Sequence, residues 1–200
     1  AVNRLGAPVT APVLIAGCGP IGGLAALVLS SMGHRDIRVA DRNAQRLARV
    51  CEVTGARPVT LDAASAGPDV HHAIEATGST AALASLLSTV ATGSSIALVG
   101  IMHGSLELDP NVLVEREVSL IGCHAFRDEL PDAITLLART AEKAQRLVEC
   151  EIAISDVPAA WAQLVIDLDA TPAPASDGRL ANDTVMRTAT SSALYAESQW

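Results

Sequence analysis

Short apolar runs alternate with stretches of helical spacing along most of the chain. Val13 to Ala16 is an unbroken apolar run, the length and pattern of a strand buried on both faces. The next apolar residues, Ile21, Leu24, Ala25 and Val28, fall at helical spacing. Ile37 to Ala40 predicts a second strand. Asn43 to Val53, with Leu47 and Val50 apolar and Arg42, Arg46 and Arg49 around them, predicts an amphipathic surface helix that Gly55 ends. Pro58 to Leu61 reads as a third strand, and Asp62 to Asp69 as a loop or one irregular turn. Val70 to Ala76 reads as a fourth strand, stopped by Thr77-Gly78-Ser79. Helical spacing resumes at Leu83, Leu86, Leu87 and Val90 and is closed by Gly93, before a fifth strand over Ile96 to Val99. Met102 to Asn111 is expected to be a loop with an extended piece at Leu106 to Leu108. Val118 to Ile121 gives a sixth strand, and helices follow over roughly 128 to 141 and 156 to 168. Strands alternating with helices predict an α/β fold: an open parallel six-stranded sheet with helices on both faces, a three-layer sandwich.

The ends of the chain read differently. Ala1 to Arg4 has the character of a helix end that Gly6 stops. From Thr171 the sequence T-P-A-P-A-S-D-G-R breaks the pattern, and the last residues carry weak helical spacing. The expected division is therefore one domain over 1–170 and a loosely attached or mobile tail over 171–200, with a docked helix near Ala193 as the alternative.

Composition narrows the class. Apolar residues make up 50 % of the chain but Phe, Tyr and Trp only 2 %, so the core must be built from aliphatic side chains and alanine. The formal charge of −8 argues against a non-specific nucleic-acid surface, which needs clustered Lys and Arg. Without a long uninterrupted apolar run no membrane partner is expected either. The four cysteines, at 18, 51, 123 and 150, never form a C-x-x-C. They read as reduced thiols of a cytoplasmic protein, with a metal or redox role as the alternative.

Chemistry concentrates where the first strand meets the first long helix. Gly17, Gly19 and Gly22 have the spacing G-x-G-x-x-G, directly after a strand and directly before a helix. Such a turn exposes N–H groups without internal partners at the positive end of a helix dipole, where a pyrophosphate is held. Gly17 allows the tight turn, Gly19 close approach to the phosphates, and Gly22 close packing of helix on strand. Pro20 suits the first helical position because it has no N–H to lose. Asp41 ends the second strand at about the twenty-residue spacing of an acid that binds an adenosine ribose diol. A carboxylate there disfavours a 2′-phosphate and so favours NAD. Arg42 beside it can flank an adenine ring or meet a 2′-phosphate, which keeps NADP as the lesser alternative. Glu75 reads as a buried acid held by backbone N–H groups rather than a catalyst. His71 and His72 start a strand, the wrong end for a site in a parallel sheet. His103 and His124 follow the fifth and sixth strands, without metal-ligand spacing around them. No catalytic or metal residue is therefore assigned.

Taken in order, A-V-N-R-L-G, V-L-I-A-G-C-G-P-I-G, V-A-D-R-N-A-Q-R-L, I-E-A-T-G-S, I-A-L-V-G-I and L-I-G-C-H-A-F resemble the nucleotide-binding domain of the zinc-dependent medium-chain dehydrogenases. The branch they look most like contains L-idonate, sorbitol and threonine dehydrogenases. The resemblance covers about residues 1 to 170 and implies a Rossmann domain. It makes Gly17, Gly19, Pro20, Ile21 and Gly22 the pyrophosphate loop and Asp41 the ribose acid, with Arg42 and Arg46 near the adenosine. Thr77 and Gly78 would lie beside the cofactor. Val99, Gly100 and Ile101, then Cys123, His124 and Ala125, would approach the nicotinamide.

In that family the zinc ligands, including a G-H-E histidine and glutamate, sit in a separate domain; no G-H-E occurs in these 200 residues. The resemblance thus implies an NAD-binding part of an alcohol, polyol or sugar-acid dehydrogenase, an oxidoreductase of CH–OH groups, inert alone. Zinc is expected only in the catalytic domain, which would be a partner domain or subunit. It also implies a homodimer through the edge strand Val118 to Ile121. Two alternatives stay open: a free-standing Rossmann protein that senses cofactor or partners another subunit, and a truncated enzyme using His103 or His124 as a metal-free base.

Overall fold

A computed structural model describes residues 1–102, 105–125, 128–148 and 151–160. The chain divides into two units, Ala1–Leu147 and Val148–Trp200. The expected boundary at 170/171 and most of the helix expected over 156 to 168 lie outside the described residues. So do His103, Phe126 and Cys150.

In the first unit the strands are β1 (Val13–Ala16), β2 (Ile37–Ala40), β3 (Arg57–Pro58), β4 (His72–Glu75), β5 (Ser95–Leu98) and β6 (Ser119–Gly122). They form one six-stranded sheet in the order β3-β2-β1-β4-β5-β6, every pairing parallel. The helices are α1 (Val2–Leu5), α2 (Pro20–Ser31), α3 (Ala44–Thr54), α4 (Ala63–Ala66), α5 (Thr80–Thr89), α6 (Pro110–Glu115) and α7 (Leu130–Leu147). The expected three-layer α/β sandwich is the observed one.

Alternation along the strands builds both faces of the core. Val13, Ile15, Val39, Ile74 and Ala97 pack with Ala26 and Leu29 of α2, Val50 of α3 and Leu147 of α7. Leu14, Ala16, Ala73 and Ile96 point the other way, onto Leu83, Leu86 and Leu87 of α5. Because both faces are covered, β1 and β2 are buried at every position; β1 reads as a continuous apolar run, and β2 as one broken by the buried Arg38.

Several boundaries differ from the sequence reading for local reasons. β3 ends at Pro58: Val59 N–H still reaches the Val39 carbonyl at 2.9 Å, but Asp62 then turns the chain and caps α4 through Ser65 N–H. The loop expected over Met102 to Asn111 ends in α6, started by Asp109, whose side chain accepts from Asn111 N–H, and by Pro110 at the first helical position. Leu106 to Leu108 forms no strand. Helix α5 stops at Val90, which turns extended, rather than at Gly93. Helix α7 runs past the expected 141 to Leu147, since A-E-K-A-Q-R-L contains no breaker.

Among the described residues of the second unit, a 3-10 turn, Ile154–Asp156, precedes Val157. No helix among the described residues is long and apolar enough to cross a membrane.

Candidate nucleotide site

The order in which strands are added reverses at β1, with β2 paired on one side of it and β4 on the other. At such a switch point the loops after the strands part and leave a crevice at their C-terminal ends. The turn after β1 is built for this place. Gly17 has φ +99, and a β-carbon there would lie 3.0 Å from Thr77 Cγ2 and 3.1 Å from the Ala76 carbonyl carbon. Gly19, at the N-cap of α2, has φ −69 and ψ −172, a conformation open to any residue. Glycine at this position therefore offers the absence of a side chain rather than backbone freedom. Pro20 opens the helix, and no side chain caps its first turn. By contrast α3, α4, α5 and α6 are capped by Asn43, Asp62, Ser79 and Asp109. Gly22 is buried against the Gly17 turn.

Asp41 reaches the same turn from the end of β2. Its Oδ2 accepts from Cys18 N–H at 2.6 Å and its Oδ1 from Asn43 N–H at 2.7 Å. Arg46 is near enough for its charge to act on the Cys18 thiol, whose pKa is nevertheless driven far upward, first by burial and then by Asp41. Arg42 is exposed.

Across the switch point, Glu75 is fully buried at the end of β4. It accepts from Thr77 N–H at 2.7 Å, from the Thr77 hydroxyl and from Gly78 N–H at 3.3 Å. This is the buried acid held by backbone N–H groups that the sequence suggests. The turn it fixes is the one Gly17 touches. Gly78, at φ +67, comes so close to the chain after β5 that a β-carbon would lie 2.6 Å from the Ile101 carbonyl oxygen.

Beyond β5 and β6 opens a cleft of about 480 Å³ lined by Leu98 to Ile101, Gly122 to Ala125, Arg4 and Glu129 among others. Ala125 takes φ +37 there. The predicted residues thus form two neighbouring sets on one border of the sheet. The loop Gly17 to Gly22 gathers with Asp41 and Thr77; Val99, Gly100, Ile101, Cys123, His124 and Ala125 line the cleft. His72 lies at the opposite border, at the start of β4.

Sequence reasoning missed three contributors. Asn43 fixes Asp41 through its N–H while its side chain accepts from Gln45 and Arg46 N–H, and the D-x-N spacing is a legible sign of such a turn. Arg4 donates to the Gly122 carbonyl. Glu129 lines the cleft, and neither it nor Arg4 carried a local sequence signal. Among the described residues no group of three or more His, Cys, Asp or Glu is placed to hold a metal ion.

Residues 20–139 match the family model described as zinc-binding dehydrogenase. The chain belongs to the zinc-binding dehydrogenase family. It is a Rossmann-type nucleotide-binding domain of the zinc-dependent medium-chain kind. An L-threonine 3-dehydrogenase of Deinococcus radiodurans is 34 % identical over 122 residues, 56 % of this chain and 35 % of that protein. The crystal structure of 2R,3R-butanediol dehydrogenase from Bacillus subtilis superposes with a TM-score of 0.64 at 25 % identity, over 74 % of this chain and 45 % of that one. L-idonate 5-dehydrogenase from Escherichia coli shares the fold with a TM-score of 0.71 at 21 % identity, over 84 % of this chain and 50 % of that one. The chain thus spans half or less of the length of each of these proteins. Its fold is generically that of an NAD(P)-binding Rossmann domain.

Proposed function

We propose that this chain is the NAD(H)-binding part of a zinc-type alcohol, polyol or sugar-acid dehydrogenase, and that alone it binds cofactor without turning over a CH–OH substrate. One observation carries the reading. The uncapped start of α2, preceded by glycines with no side chain to fill the space, stands beside a strand-end carboxylate bonded to the same turn. The N–H groups at the start of α2 would hold the pyrophosphate, and Asp41 would accept the adenosine ribose diol. Thr77, Gly78 and the cleft residues Val99 to Ile101 and Cys123 to Ala125 would shelter the nicotinamide half. Bound there, the dinucleotide supplies the hydride acceptor or donor. The chain's own work is to bind, orient and shield it.

Asp41 supports NAD over NADP, because a 2′-phosphate would bring negative charge against a carboxylate already committed to two N–H groups. Zinc would belong to ligands outside the described residues, in a catalytic domain or subunit that closes on the cleft. The exposed border of β6 supports pairing with a second copy through that strand.

Calorimetric titration of the 200-residue chain with NAD(H) and NADP(H), repeated on Gly19→Ala, tests the reading. Saturable NAD(H) binding, weaker NADP(H) binding and loss of affinity in the variant are expected. Absence of binding by either cofactor would overturn it in favour of an interaction module that has kept the fold alone.

A further inference from the structure

The turn between β1 and α2 has few ties of its own. Gly17 N–H continues the sheet by donating to the Ala40 carbonyl at 2.8 Å, and Gly23 N–H starts the helix by donating to the Gly19 carbonyl at 2.8 Å. Between these two bonds, Cys18 N–H donates to Asp41 Oδ2 at 2.6 Å. The partner is a side chain from the neighbouring strand rather than sheet or helix backbone.

The carboxylate is itself fixed. Its second oxygen accepts from Asn43 N–H at 2.7 Å, and the Asn43 side chain caps α3 through Gln45 and Arg46 N–H at 3.0 and 3.1 Å. A continuous chain of bonds therefore runs from the start of α3 through Asn43 and Asp41 to the turn before α2. The Cys18 side chain, 5 % exposed, is anchored in the core with Val39 and Val50. The turn is gripped by its side chain on the core side and by its N–H on the Asp41 side.

We infer that Asp41 is a positioning residue for the phosphate loop, holding the Gly17–Gly19 turn in its binding geometry before any nucleotide arrives. The inference rests on the proposed reading of the site and adds to the ribose contact a second role that acts on the other half of the adenosine diphosphate. The two roles coexist: a carboxylate has about four acceptor positions. The two N–H bonds occupy one on each oxygen and leave one on each for the ribose hydroxyls. Without the carboxylate, Cys18 N–H loses its partner and the turn keeps only its flanking bonds and its side-chain anchor. Asp41 therefore matters even to a ligand that has no ribose diol to offer it.

That consequence separates a positioning residue from a simple ribose ligand. The probes are NAD(H) and its 2′,3′-dideoxyadenosine analogue, titrated into the 200-residue chain and into Asp41→Ala. If Asp41 served only the diol, the substitution would leave the analogue's affinity at the wild-type value, and that result would overturn the inference. The expected result is that the analogue too weakens in Asp41→Ala, by about tenfold or more, the scale of one hydrogen bond to a charged group. Hydrogen exchange on the protein without nucleotide gives an independent reading. In Asp41→Ala the Cys18 amide is expected to exchange about tenfold faster or more, while core amides at Ile74 and Ala97 keep their wild-type rates. Unchanged protection at Cys18 would refute the strut. Should core protection also be lost in Asp41→Ala, Asp41→Ser, polar but shorter, takes its place in both comparisons. A wild-type chain that binds neither NAD(H) nor NADP(H) would overturn the proposed function, and the exchange comparison would still decide whether Asp41 holds the turn.

Discussion

A β-carbon on Gly22 would fall 1.9 Å from the carbonyl oxygen of Gly17. The third glycine of the loop is therefore dictated by the first: α2 lies directly on the turn that precedes it, with no room for a methyl group.

Gly22→Ala must push α2 away from the Gly17 turn. We expect a loss of about 2–3 kcal/mol in denaturant unfolding, the usual cost of overpacking a tight contact, and a loss of nucleotide affinity with it. Gly55→Ala is the matched control. Gly55 also has positive φ, +77, but nothing stands within 4 Å of the added carbon. Its cost is the left-handed backbone alone, about 1–2 kcal/mol, with nucleotide affinity kept.

Arg38, 5 % exposed in β2, joins parts of the chain far apart in sequence. It pairs with Asp36, with Asp69 at 2.7 Å, and with the Ala66 carbonyl. The two carboxylates reach solvent, so Arg38→Met leaves them hydrated and chiefly orphans the Ala66 carbonyl, for an expected loss of about 1–3 kcal/mol at neutral pH. The Arg38 hydrogen bonds hold both aspartates below their ordinary 3.8. A lowered carboxylate pKa stabilises the fold above the unfolded value and ceases to do so as pH falls through the folded one. The wild-type acid limb below about pH 4 should therefore be steeper than that of Arg38→Met in pH-dependent melts.

His72 lies at the N-terminal border of the sheet with its Nδ1 buried and unpartnered, as is that of His34. Burial, then the neighbouring His71 and His34, lowers its pKa below 6.5. The unfolded chain therefore takes up a proton at a pH where the folded chain does not. Stability is full above about 6.5 and declines as pH falls below it. His72→Gln should lessen the fall in melting temperature between pH 7 and 5; an identical fall in both proteins would show that the loss arises elsewhere.

Alkylation resolved by site should rank the described thiols. Burial raises the Cys18 and Cys51 thiols, Cys18 far more, whereas Cys123 lies half-buried on the cleft. With iodoacetamide near pH 8, Cys123 is expected to react first and Cys18 last, since the thiolate is the nucleophile. Saturating NAD(H) should slow Cys123 if the nicotinamide half lies where we propose.

What the sequence made legible was whatever its physics confines to a short window. The Val13–Ala16 run, the glycine spacing after it and the Asn43 to Gly55 helix each carry their cause within a dozen residues. Helix α6 also has a local sign, Asp109 before Pro110, but six residues give too little apolar periodicity to confirm it. The burial of Arg38 was illegible because its partners Ala66 and Asp69 arrive through tertiary structure. Arg4 donates to a carbonyl 118 residues along the chain, and no window contains that pair. For the site, the glycines and Asp41 could be named individually, yet the bond from Cys18 N–H to the carboxylate follows only from β1 and β2 standing side by side.

The two borders of the sheet are unlike. On the β3 side the last strand is two residues long and contains Pro58, which has no N–H to offer a newcomer. On the β6 side the last described strand is four residues long and free of proline. Among the described residues, the β6 border is therefore the better suited to strand addition. If two copies join along β6 as we propose, each uses up its receptive border, and the β3 border, with Pro58 in it, offers the pair a poor place to grow further.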